Sequence, residues 1–332
     1  MEWSKLFSNF QSCEVLVLGD VMLDTYWWGH VDRISPEAPV PVVAVDKKEI
    51  RAGGAANVAL NVRALGAVVH MISIVGEDEA GDELINLLQQ QGIQTNGIIQ
   101  TTKRRTTNKT RIISRNQHMM RLDEEDVFDV DSEDSNSLLT HIESLFSAGK
   151  IKVLIFEDYN KGLLTEQLIQ HVLDLCKKYH VITTVDPKRK NFLSYKGVDV
   201  FKPNLKEVKD ALGIWVDQVH LAALEEVHQQ LKQHLQHSVS LITLSEKGVF
   251  CKDDQDAFII PSYVRNIADV SGAGDTVIAV ASLVYALTKD IKWMAEIANV
   301  AAGQVCEEVG TVAVNADRLL DELQNLYPNG LA

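Results

Sequence analysis

Short apolar runs alternate with segments of helical periodicity along most of the chain. The runs are rich in Val, Ile and Leu and end at glycine or polar residues, which is typical of buried strands in a parallel sheet. They cover residues 14–19, 68–75, 97–100, 151–156, 181–185, 198–202 and 239–244. Helices are predicted near residues 55–65, 80–91, 138–146, 277–287, 293–305 and 316–327. This alternation predicts a parallel α/β sandwich, and we expect one domain over residues 1–332.

Two stretches depart from this alternation. Residues 26–50 contain aromatic residues, three prolines and an alternating apolar pattern at 40–45. Residues 103–123 also alternate, with arginines between apolar residues. Both patterns indicate exposed or edge β-structure. Because they are inserted into a βα series, we predict a small β-sheet that lies over the main domain as a lid.

The charge balance restricts the partners of the chain. Its formal net charge is −14, so binding to nucleic acid or to an anionic membrane, which needs an excess of Lys and Arg, is not expected. The N-terminus lacks the basic start and apolar core of a signal peptide, and no apolar run is long enough to span a bilayer. The four cysteines are scattered singly, which favours reduced, packed thiols over disulfides or a zinc site. We therefore expect a cytoplasmic protein that acts on small polar molecules.

The strongest chemical signal is a helix start rich in small residues. The apolar run at 277–287 is preceded by Gly272, Ala273, Gly274 and Asp275. Free backbone N–H groups and the positive end of the helix dipole point out of such a terminus, and small side chains let an anion approach them. Asp275 lies in the first turn, where its carboxylate can accept a proton from an attacking hydroxyl. The dipole should keep this carboxylate ionised and make it a weak base. An ordinary glycine-containing loop is the alternative.

Polar residues that follow the predicted strands are candidates for substrate binding. Ligands of open α/β sheets lie beyond the carboxyl ends of the strands. Asp20 and Asp24 follow the first run, and Asp158 and Lys161 follow the run at 151–156. Either pair can therefore reach a bound sugar. Ordinary turn chemistry is the alternative for each of these residues.

Two further helix starts carry residues that can bind ligands. Gly53 and Gly54 let a ligand approach the backbone, and Asn57 follows them in the first helical turn, where it can donate and accept hydrogen bonds. Close packing is the alternative there. Asn204, with Glu207 three residues later, is a capping box on local evidence. The functional alternative is that Glu207 holds waters of a magnesium ion beside nucleotide phosphates.

A cluster of basic residues stands out in this acidic chain, next to the predicted lid. A solvated face is the usual meaning of such a run. Here, however, arginines alternate with apolar residues as in a strand, and a phosphate on the substrate would account for cations at this place. The candidates for substrate binding are Lys109, Arg111 and Arg121.

Two common nucleotide signatures are missing from the sequence. It contains no G-x-x-x-x-G-K-[ST] motif, and its Gly-Ala-Gly lacks the third glycine and the preceding strand of a dinucleotide fingerprint. Instead, Gly53-Gly54 with Asn57, Asn204 with Glu207, and the segment 272–275 together resemble the signatures of the ribokinase, or pfkB-like, family of carbohydrate kinases. The resemblance covers nearly the whole chain. It implies a three-layer αβα sandwich with a mostly parallel central sheet and a small β-sheet lid.

The resemblance also implies an ATP-dependent sugar kinase that uses Mg²⁺. Asp275 would be the catalytic base, and the segment 272–274 the anion hole. Asn204 and Glu207 would lie at the magnesium ion and the phosphates, and Asp269 is a possible ligand of a monovalent cation such as K⁺. ATP contacts are implied near Ser245, Gly248 and Asn299. The implied sugar site consists of Asp24, Gly53, Gly54 and Asn57. A homodimer joined through the lids is also implied.

Further segments resemble the family members that phosphorylate O1 of D-glycero-β-D-manno-heptose 7-phosphate in ADP-heptose biosynthesis for lipopolysaccharide. They are residues 19–24, 33–42, 114–117 and 158–162. Some of these members carry a fused C-terminal adenylyltransferase. The sequence ends at Ala332 without one, so we expect a separate adenylyltransferase to act next. Two residues depart from the pattern: Ser271 stands where Thr is common, and Glu157 adds a carboxylate whose effect the sequence does not predict. The alternatives are a kinase for another sugar or sugar phosphate, and a non-catalytic sugar or nucleotide sensor.

Overall fold

A computed structural model describes residues 3–115, 117–263, 265–328 and 330. The strands are β1 (Glu14–Gly19), β2 (Val21–Ile34), β3 (Pro41–Gly54), β4 (Val68–Gly76), β5 (Gln94–Thr101), β6 (Asn108–Ser114), β7 (Gln117–Glu124), β8 (Ile151–Glu157), β9 (Ile182–Asp186), β10 (Val200–Phe201), β11 (Val239–Thr243), β12 (Val249–Lys252) and β13 (Ala257–Ile260). The helices are α1 (Trp3–Phe10), α2 (Ala55–Ala64), α3 (Glu79–Gln90), α4 (Ser132–Ser147), α5 (Glu166–Tyr179), α6 (Leu205–Leu212), α7 (Leu221–Leu235), α8 (Ala273–Thr288), α9 (Ile291–Val305) and α10 (Ala316–Leu326). Asn116, part of the 114–117 segment, lies outside the described residues.

The large sheet brings the ends of three strands together. Within the described residues its order is β13-β12-β11-β10-β9-β8-β1-β4-β5. Neighbours from β5 to β11 run parallel, whereas β12 and β13 run antiparallel. The chain leaves β1 for β4 on one side and returns with β8 on the other, which makes β1 a topological switch point. Gly19 pairs with Glu157, and Glu157 pairs with Asp186, so these carboxyl ends lie side by side.

Helices cover both faces of this sheet. One apolar cluster contains buried residues of α1, α2, α3, α8, α9 and α10. The other contains buried residues of α4, α5, α6 and α7 on the opposite face. In α8, the residues from Asp275 to Tyr285 are all buried, as predicted for a helix that is apolar around most of its circumference. The predicted three-layer αβα sandwich is confirmed.

The lid is a small sheet whose strands are ordered β3-β2-β6-β7 in the described part of the chain. β2 runs antiparallel to β3 and parallel to β6, and β6 runs antiparallel to β7. The predicted small sheet of two inserted β segments is confirmed. The bounds predicted for the first segment, 26–50, were too narrow, and the second segment begins at 108 instead of 103. β2 begins at Val21 and β3 continues to Gly54, because Met22 and Leu23 are buried in the main domain. Residues 103–107 form no strand: 103 lies in a turn, 104 in a bend, and 105–107 are irregular before β6 begins.

The cysteines occur as buried, free thiols: Cys13, Cys176, Cys251 and Cys306. This confirms the prediction of reduced, packed thiols. Burial raises the pKa of Cys13 to about 11, so little of this group is a reactive thiolate near neutral pH. Of the helices that the structure describes, none combines the length and the apolar character needed to cross a membrane.

Two buried histidines share one hydroxyl group on the α7 side of the sheet. His228 Nδ1 lies 2.9 Å from Ser240 Oγ, and His237 Nε2 lies 2.6 Å from the same atom. Burial lowers the pKa of His228 to about 4 and the pKa of His237 to about 3. The other nitrogen of each ring has no hydrogen-bond partner among the described residues. Both rings are therefore neutral at pH 7, because a proton on either would place an unpaired charge in the core.

We predict that these histidines make the protein sensitive to mild acid. Below their ordinary pKa of 6.5, both histidines are protonated in the unfolded chain but stay neutral in the folded protein. The free energy of unfolding therefore falls as the pH decreases. For His228 the loss is roughly 3 kcal/mol between pH 6.5 and its folded pKa. Urea unfolding at a series of pH values measures this slope. His228→Gln should reduce it, whereas the exposed control His234→Gln should leave it unchanged. An undiminished slope in His228→Gln would assign the effect to other groups.

Candidate active site

The start of α8 is a tight turn with small side chains. The helix begins at Ala273, and Gly272 before it adopts a φ of 78°, a left-handed conformation that favours glycine. A Cβ at Gly272 would lie only 2.8 Å from Asn57 Nδ2, so the close approach of α2 also requires glycine there. First-turn N–H groups have no carbonyl partner within their own helix and carry the positive end of its dipole. The predicted helix start is confirmed, and its geometry suits an anion.

Asp275 is held by two hydrogen bonds from distant parts of the chain. Its Oδ2 accepts a bond of 2.8 Å from Asn57 Nδ2 in the first turn of α2. Its Oδ1 accepts a bond of 2.7 Å from the hydroxyl of Tyr159, two residues beyond β8. Asp275 is 4% exposed, so these donors fix the direction of a carboxylate that has little contact with water.

The pKa of Asp275 differs in direction from the sequence prediction. Burial raises the pKa, and the hydrogen bonds from Asn57 and Tyr159 oppose that effect only in part. Asp186 raises the pKa further, while Lys202 lowers it. The weak base predicted from the helix dipole is therefore corrected, since loss of hydration outweighs the dipole. A raised pKa makes the carboxylate a stronger proton acceptor.

The predicted sugar residues lie next to one another where β2 and β3 leave the main domain. Asp24 is 4% exposed, and its Oδ1 lies 2.5 Å from Nη1 of Arg111 on β6. Any side chain at Gly53 would overlap Asp24 Oδ2, and Gly54 turns the chain into α2 with a φ of 58°. Since Asn57 follows in the first turn of α2, the structure joins these residues to Asp275.

Basic residues stand around Tyr159, whose hydroxyl holds Asp275. The ammonium groups of Lys109 and Lys188 lie 5.8 and 5.2 Å from the centre of the Tyr159 ring. Burial, together with nearby Lys161, lowers the pKa of Lys109. Lys109 forms no ion pair with any described residue, whereas Lys161 lies 2.5 Å from Glu125 Oε2. Lys109 is thus a cation that a substrate phosphate can pair with.

Arg121 is paired with a carboxylate of its own strand. It stands opposite Arg111 in the pairing of β6 with β7. Its guanidinium donates to both carboxylate oxygens of Asp123, at 2.7 and 2.9 Å, and its side chain is 57% exposed. Both of these contacts lie within its own strand, and the role of Arg121 in substrate binding stays a prediction.

Asp158 and Asp20 have internal partners. Asp158 is 1% exposed, and its Oδ2 accepts bonds from Tyr195 and Asn191 at 2.8 and 3.1 Å. Burial and the charge of Asp20 raise its pKa to about 6. Asp20 accepts backbone N–H bonds from the loop after β8. Both carboxylates hold that loop in place, and the role of Asp158 in substrate contact stays a prediction.

Alternating charges connect the predicted capping box to the start of α8. Glu207 Oε1 lies 3.1 Å from Lys188 Nζ, and that ammonium lies 3.2 Å from Asp186 Oδ1. Asp186 Oδ2 lies 2.7 Å from Lys202 Nζ, which also donates to the carbonyl of Gly274 at 3.3 Å. We call these residues the charge ladder. It places two cations beside a helix start that itself attracts anions.

Glu207 has both a structural and a possible metal-binding role. Its backbone N–H donates to Asn204 Oδ1, and its Oε2 accepts from the Asn204 N–H, each at 2.8 Å. The predicted capping box is therefore confirmed. The other carboxylate oxygen faces Lys188. Because the carboxylate is already engaged, it is better suited to holding magnesium-bound waters than to contacting the ion directly.

Asp269 is fixed as an anion in the loop before α8. Its Oδ1 accepts bonds from the N–H and the hydroxyl of Ser271, and its Oδ2 accepts from the N–H of Gly310 at 2.9 Å. Partial burial raises the pKa of Asp269, but these bonds lower it overall. Ser271, which stands where Thr is common, thus uses its hydroxyl to hold Asp269. An ionised carboxylate in this place is compatible with a monovalent cation.

The residues predicted to lie near ATP gather around one short segment after β13. Ser245 and Gly248 form the turn between β11 and β12, with φ values of 58° and 92°. A side chain at Gly248 would overlap the carbonyl of Ile260. Asn299 on α9 donates a bond of 2.9 Å to the carbonyl of Pro261. The structure therefore brings the three predicted residues together.

Sequence reasoning missed four residues of this site: Tyr159, Asp186, Lys188 and Lys202. Asp186 ends β9, and Tyr159 and Lys188 follow strand ends, so the rule that selected Asp158 applied to all three. Lys202 offered a different signal, since it is a lysine directly after a strand buried on both faces, and such a group needs a partner. Tyr159 lies in the 158–162 segment named above, but the other three positions matched no motif, and the sheet order brings them together.

A family model described as pfkB family carbohydrate kinase matches residues 13–318. Two similar relatives are named bifunctional protein HldE. The protein from Helicobacter hepaticus is 39% identical over 319 residues, which cover 96% of this chain and 65% of the relative. The protein from Pseudomonas putida strain GB-1 is 40% identical over 318 residues, which cover 95% of this chain and 65% of the relative. The chain thus spans about two thirds, 65%, of the length of these relatives.

Solved structures share the fold at low sequence identity. Phosphofructokinase-2 from Escherichia coli, in complex with potassium, has a TM-score of 0.78 and 16% identity over 96% of this chain and 99% of its own. Ribokinase from Arabidopsis thaliana, complexed with ribose and ATP, has a TM-score of 0.72 and 15% identity over 93% of this chain and 99% of its own. Both confirm the predicted ribokinase-like sandwich. From the match over residues 13–318, the chain belongs to the pfkB family of carbohydrate kinases.

Proposed function

We propose that the chain phosphorylates O1 of D-glycero-β-D-manno-heptose 7-phosphate with MgATP. The observation that carries this proposal is the position of Lys109, a half-buried cation without an ion pair among the described residues, beside the Tyr159 ring that contacts the base. A sugar that already bears a phosphate gives this cation a partner. The 39% and 40% identity to the HldE proteins supports a heptose phosphate as that sugar.

The proposed mechanism places the sugar between the base and the helix start. Asp24 and the backbone at Gly53 and Gly54 bind sugar hydroxyls, so that O1 points at Asp275. Asp275 takes the proton from O1 as the oxygen attacks the γ-phosphorus of ATP. The bond from that phosphorus to the β–γ bridging oxygen breaks, and ADP leaves. Such a loose transition state asks mainly for positioning and charge stabilisation.

The charge that develops on the transferred phosphoryl group is met by fixed positive groups. The N–H groups at 272–274 and the ammonium groups of Lys188 and Lys202 surround the place where it would lie. Magnesium, when bound with ATP, would neutralise phosphate oxygens, and Glu207 with Asn204 would hold its waters. We place the rest of the nucleotide along Ser245, Gly248 and Asn299. Asp269 is proposed to attract a monovalent cation to the loop before α8.

The proposed setting of the reaction is cytoplasmic ADP-heptose biosynthesis for lipopolysaccharide. The product, a 1,7-bisphosphate, would pass to further enzymes, including an adenylyltransferase. We also propose a homodimer joined through the lids. Exposed apolar side chains on the lid strands and on the connection between β2 and β3 support it: Ile34, Val40, Val45, Met119, Met120 and Leu122.

The test of this function is MgATP consumption by the purified protein with a panel of acceptors. The panel contains heptose 7-phosphate, the unphosphorylated heptose, ribose, fructose and fructose 6-phosphate. We expect turnover with heptose 7-phosphate to exceed turnover with the others. An inert heptose 7-phosphate, together with turnover of another sugar, would keep the kinase mechanism and reject the substrate assignment.

A second prediction concerns the phosphate of the substrate. Lys109→Gln should raise KM for heptose 7-phosphate by about 10-fold or more, since a hydrogen bond to a charged group is lost. It should leave kcat/KM for unphosphorylated heptose unchanged. Lys47→Gln, at an exposed lid lysine, is the matched control and should behave as wild type with both sugars. Equal losses with both sugars in Lys109→Gln would show that Lys109 supports the base or the lid instead of binding the phosphate.

A further inference from the structure

Glu157 is a buried carboxylate that the proposed mechanism does not use. It ends β8 between β1 and β9, and its exposed fraction is 0%. Neither of its carboxylate oxygens has a hydrogen-bond partner among the described residues. Leaving a buried charged group without partners is costly. The sequence flagged this residue as a departure, and the structure gives it an environment that requires an explanation.

Glu157 clusters with two other carboxylates. Glu157, Asp186 and Asp275 each place one oxygen within 4.8 Å of the others, and all three residues are buried. Ionised carboxylates offer only acceptors. No hydrogen bond can therefore form between Glu157 and either neighbour until one of them carries a proton.

The cations nearby are already engaged with Asp186. The ammonium group of Lys188 pairs with Asp186 Oδ1, and that of Lys202 pairs with Asp186 Oδ2. Asp275 is held by neutral donors, one of them Tyr159. Two ammonium groups can offset two of the three carboxylates, but the third remains unbalanced. A proton on Glu157 both removes this excess charge and supplies the missing donor.

We propose that Glu157 is protonated in the resting enzyme and that its O–H donates to the neighbouring carboxylates, which makes it a positioning residue for the catalytic base. Burial and the charges of Asp186 and Asp275 raise the pKa of Glu157, while Lys188 and Lys202 lower it to a lesser extent. The Tyr159 hydroxyl, which donates to Asp275, is a further titratable group beside this cluster. The inference rests on the proposed role of Asp275, whose ionised form this hydrogen bond stabilises.

The proposal has a consequence for the incoming nucleotide. A neutral Glu157 adds no negative charge beneath the site where ATP phosphates would lie. A donor at this position also keeps the carboxylate of Asp275 aligned with Asn57 and Tyr159 before the sugar binds. Glu157 would thus favour proton transfer without taking part in it.

The first test uses infrared spectroscopy and needs no turnover. The difference spectrum of wild type minus Glu157→Gln, at neutral pH and without nucleotide, should contain the C=O stretch of a protonated carboxylic acid. Its absence would overturn the proposal even if heptose 7-phosphate is the substrate. Conversely, a failed substrate panel leaves this result intact, so the two failures are distinguishable.

The second test compares the pH dependence of kcat/KM in two variants, with heptose 7-phosphate and MgATP. Glu157→Gln keeps a donor and should retain kcat within about threefold, with the acid limb unchanged. Glu157→Leu keeps the volume but loses the donor. It should lower kcat by about 10-fold and move the acid limb up by about one pH unit, because the ionised base is less stabilised. If Glu157 had only a structural role, the Gln and Leu variants would not differ in this way in kcat and in the position of the acid limb.

Two outcomes would contradict the proposal. If Glu157 is ionised, Glu157→Gln removes a negative neighbour, and the acid limb moves to lower pH instead. If the three carboxylates hold a metal ion, wild type should bind Mn²⁺ in the absence of nucleotide, as measured by electron paramagnetic resonance, and Glu157→Gln should lose that binding. We expect neither result.

Discussion

Replacing Asp275 by Asn is expected to lower kcat by about 1,000-fold, because the substrate hydroxyl then loses its proton acceptor. The change is nearly isosteric. The amide oxygen can still accept a bond from Asn57, and the fold around α8 should persist. Steady-state kinetics with heptose 7-phosphate and MgATP measure the loss, and equilibrium binding of ATP should remain close to wild type. The effect is therefore expected in the chemical step and not in nucleotide binding.

The control for this variant is Asp290→Asn, at the exposed N-cap of α9. It replaces the same side chain at the start of a neighbouring helix and should leave kcat unchanged. In wild type, kcat/KM should fall as the pH drops through the raised pKa of Asp275, since the protonated form cannot accept the substrate proton. If Asp275→Asn retained more than about a tenth of wild-type kcat, another group would have to be the base.

Replacing Lys202 by Met is expected to lower the free energy of unfolding by about 3 kcal/mol, because it leaves buried Asp186 with one cation where it had two. The side chains of Lys202 and Asp186 are 3% and 4% exposed. Burial raises the pKa of Asp186, but Lys188 and Lys202 more than reverse this effect. Urea unfolding near neutral pH measures the change. Since Lys202 also contacts the start of α8 through Gly274, kcat should fall as well.

The exposed pair of Lys178 and Glu143 provides the comparison. Their side chains are 59% and 47% exposed at a distance of 2.8 Å, so Lys178→Met should leave the free energy of unfolding close to that of wild type. The double variant Lys202→Met with Asp186→Asn should recover part of the stability lost by Lys202→Met alone, because no unpaired charge remains. If the two single lysine variants were equally stable, burial would not be the source of the stability attributed to the charge ladder.

The fold was predictable because local patterns dictate it. The apolar runs at 14–19 and 151–156 match β1 and β8, since strands covered on both faces leave a continuous apolar signature. Helix α5 was missed although its signals were present. Thr165 caps its N-terminus, and the buried Leu168, Ile169, Val172 and Cys176 follow a helical spacing.

The candidate site was predictable only where residues belong to motifs. Asn57 and Asp275 were named from separate helix starts, but their mutual hydrogen bond depends on how α2 packs beside α8. Lys188 and Lys202 gain their role from the neighbouring positions of β9 and β10 in the sheet. The raised pKa of Asp275 could not be predicted from the sequence either, because it results from burial in the assembled core.

The bond between Asn57 and Asp275 joins residues 218 positions apart. Closing so long a loop costs conformational entropy that local contacts do not offset. Pairings of this kind therefore form slowly. A growing chain on the ribosome cannot complete the pocket until α8 has emerged. A refolding chain should likewise recover activity with its slowest phase, after most of its helices and parallel strands have formed. The chain therefore becomes active late in folding, and recovery of activity indicates that the whole molecule has folded.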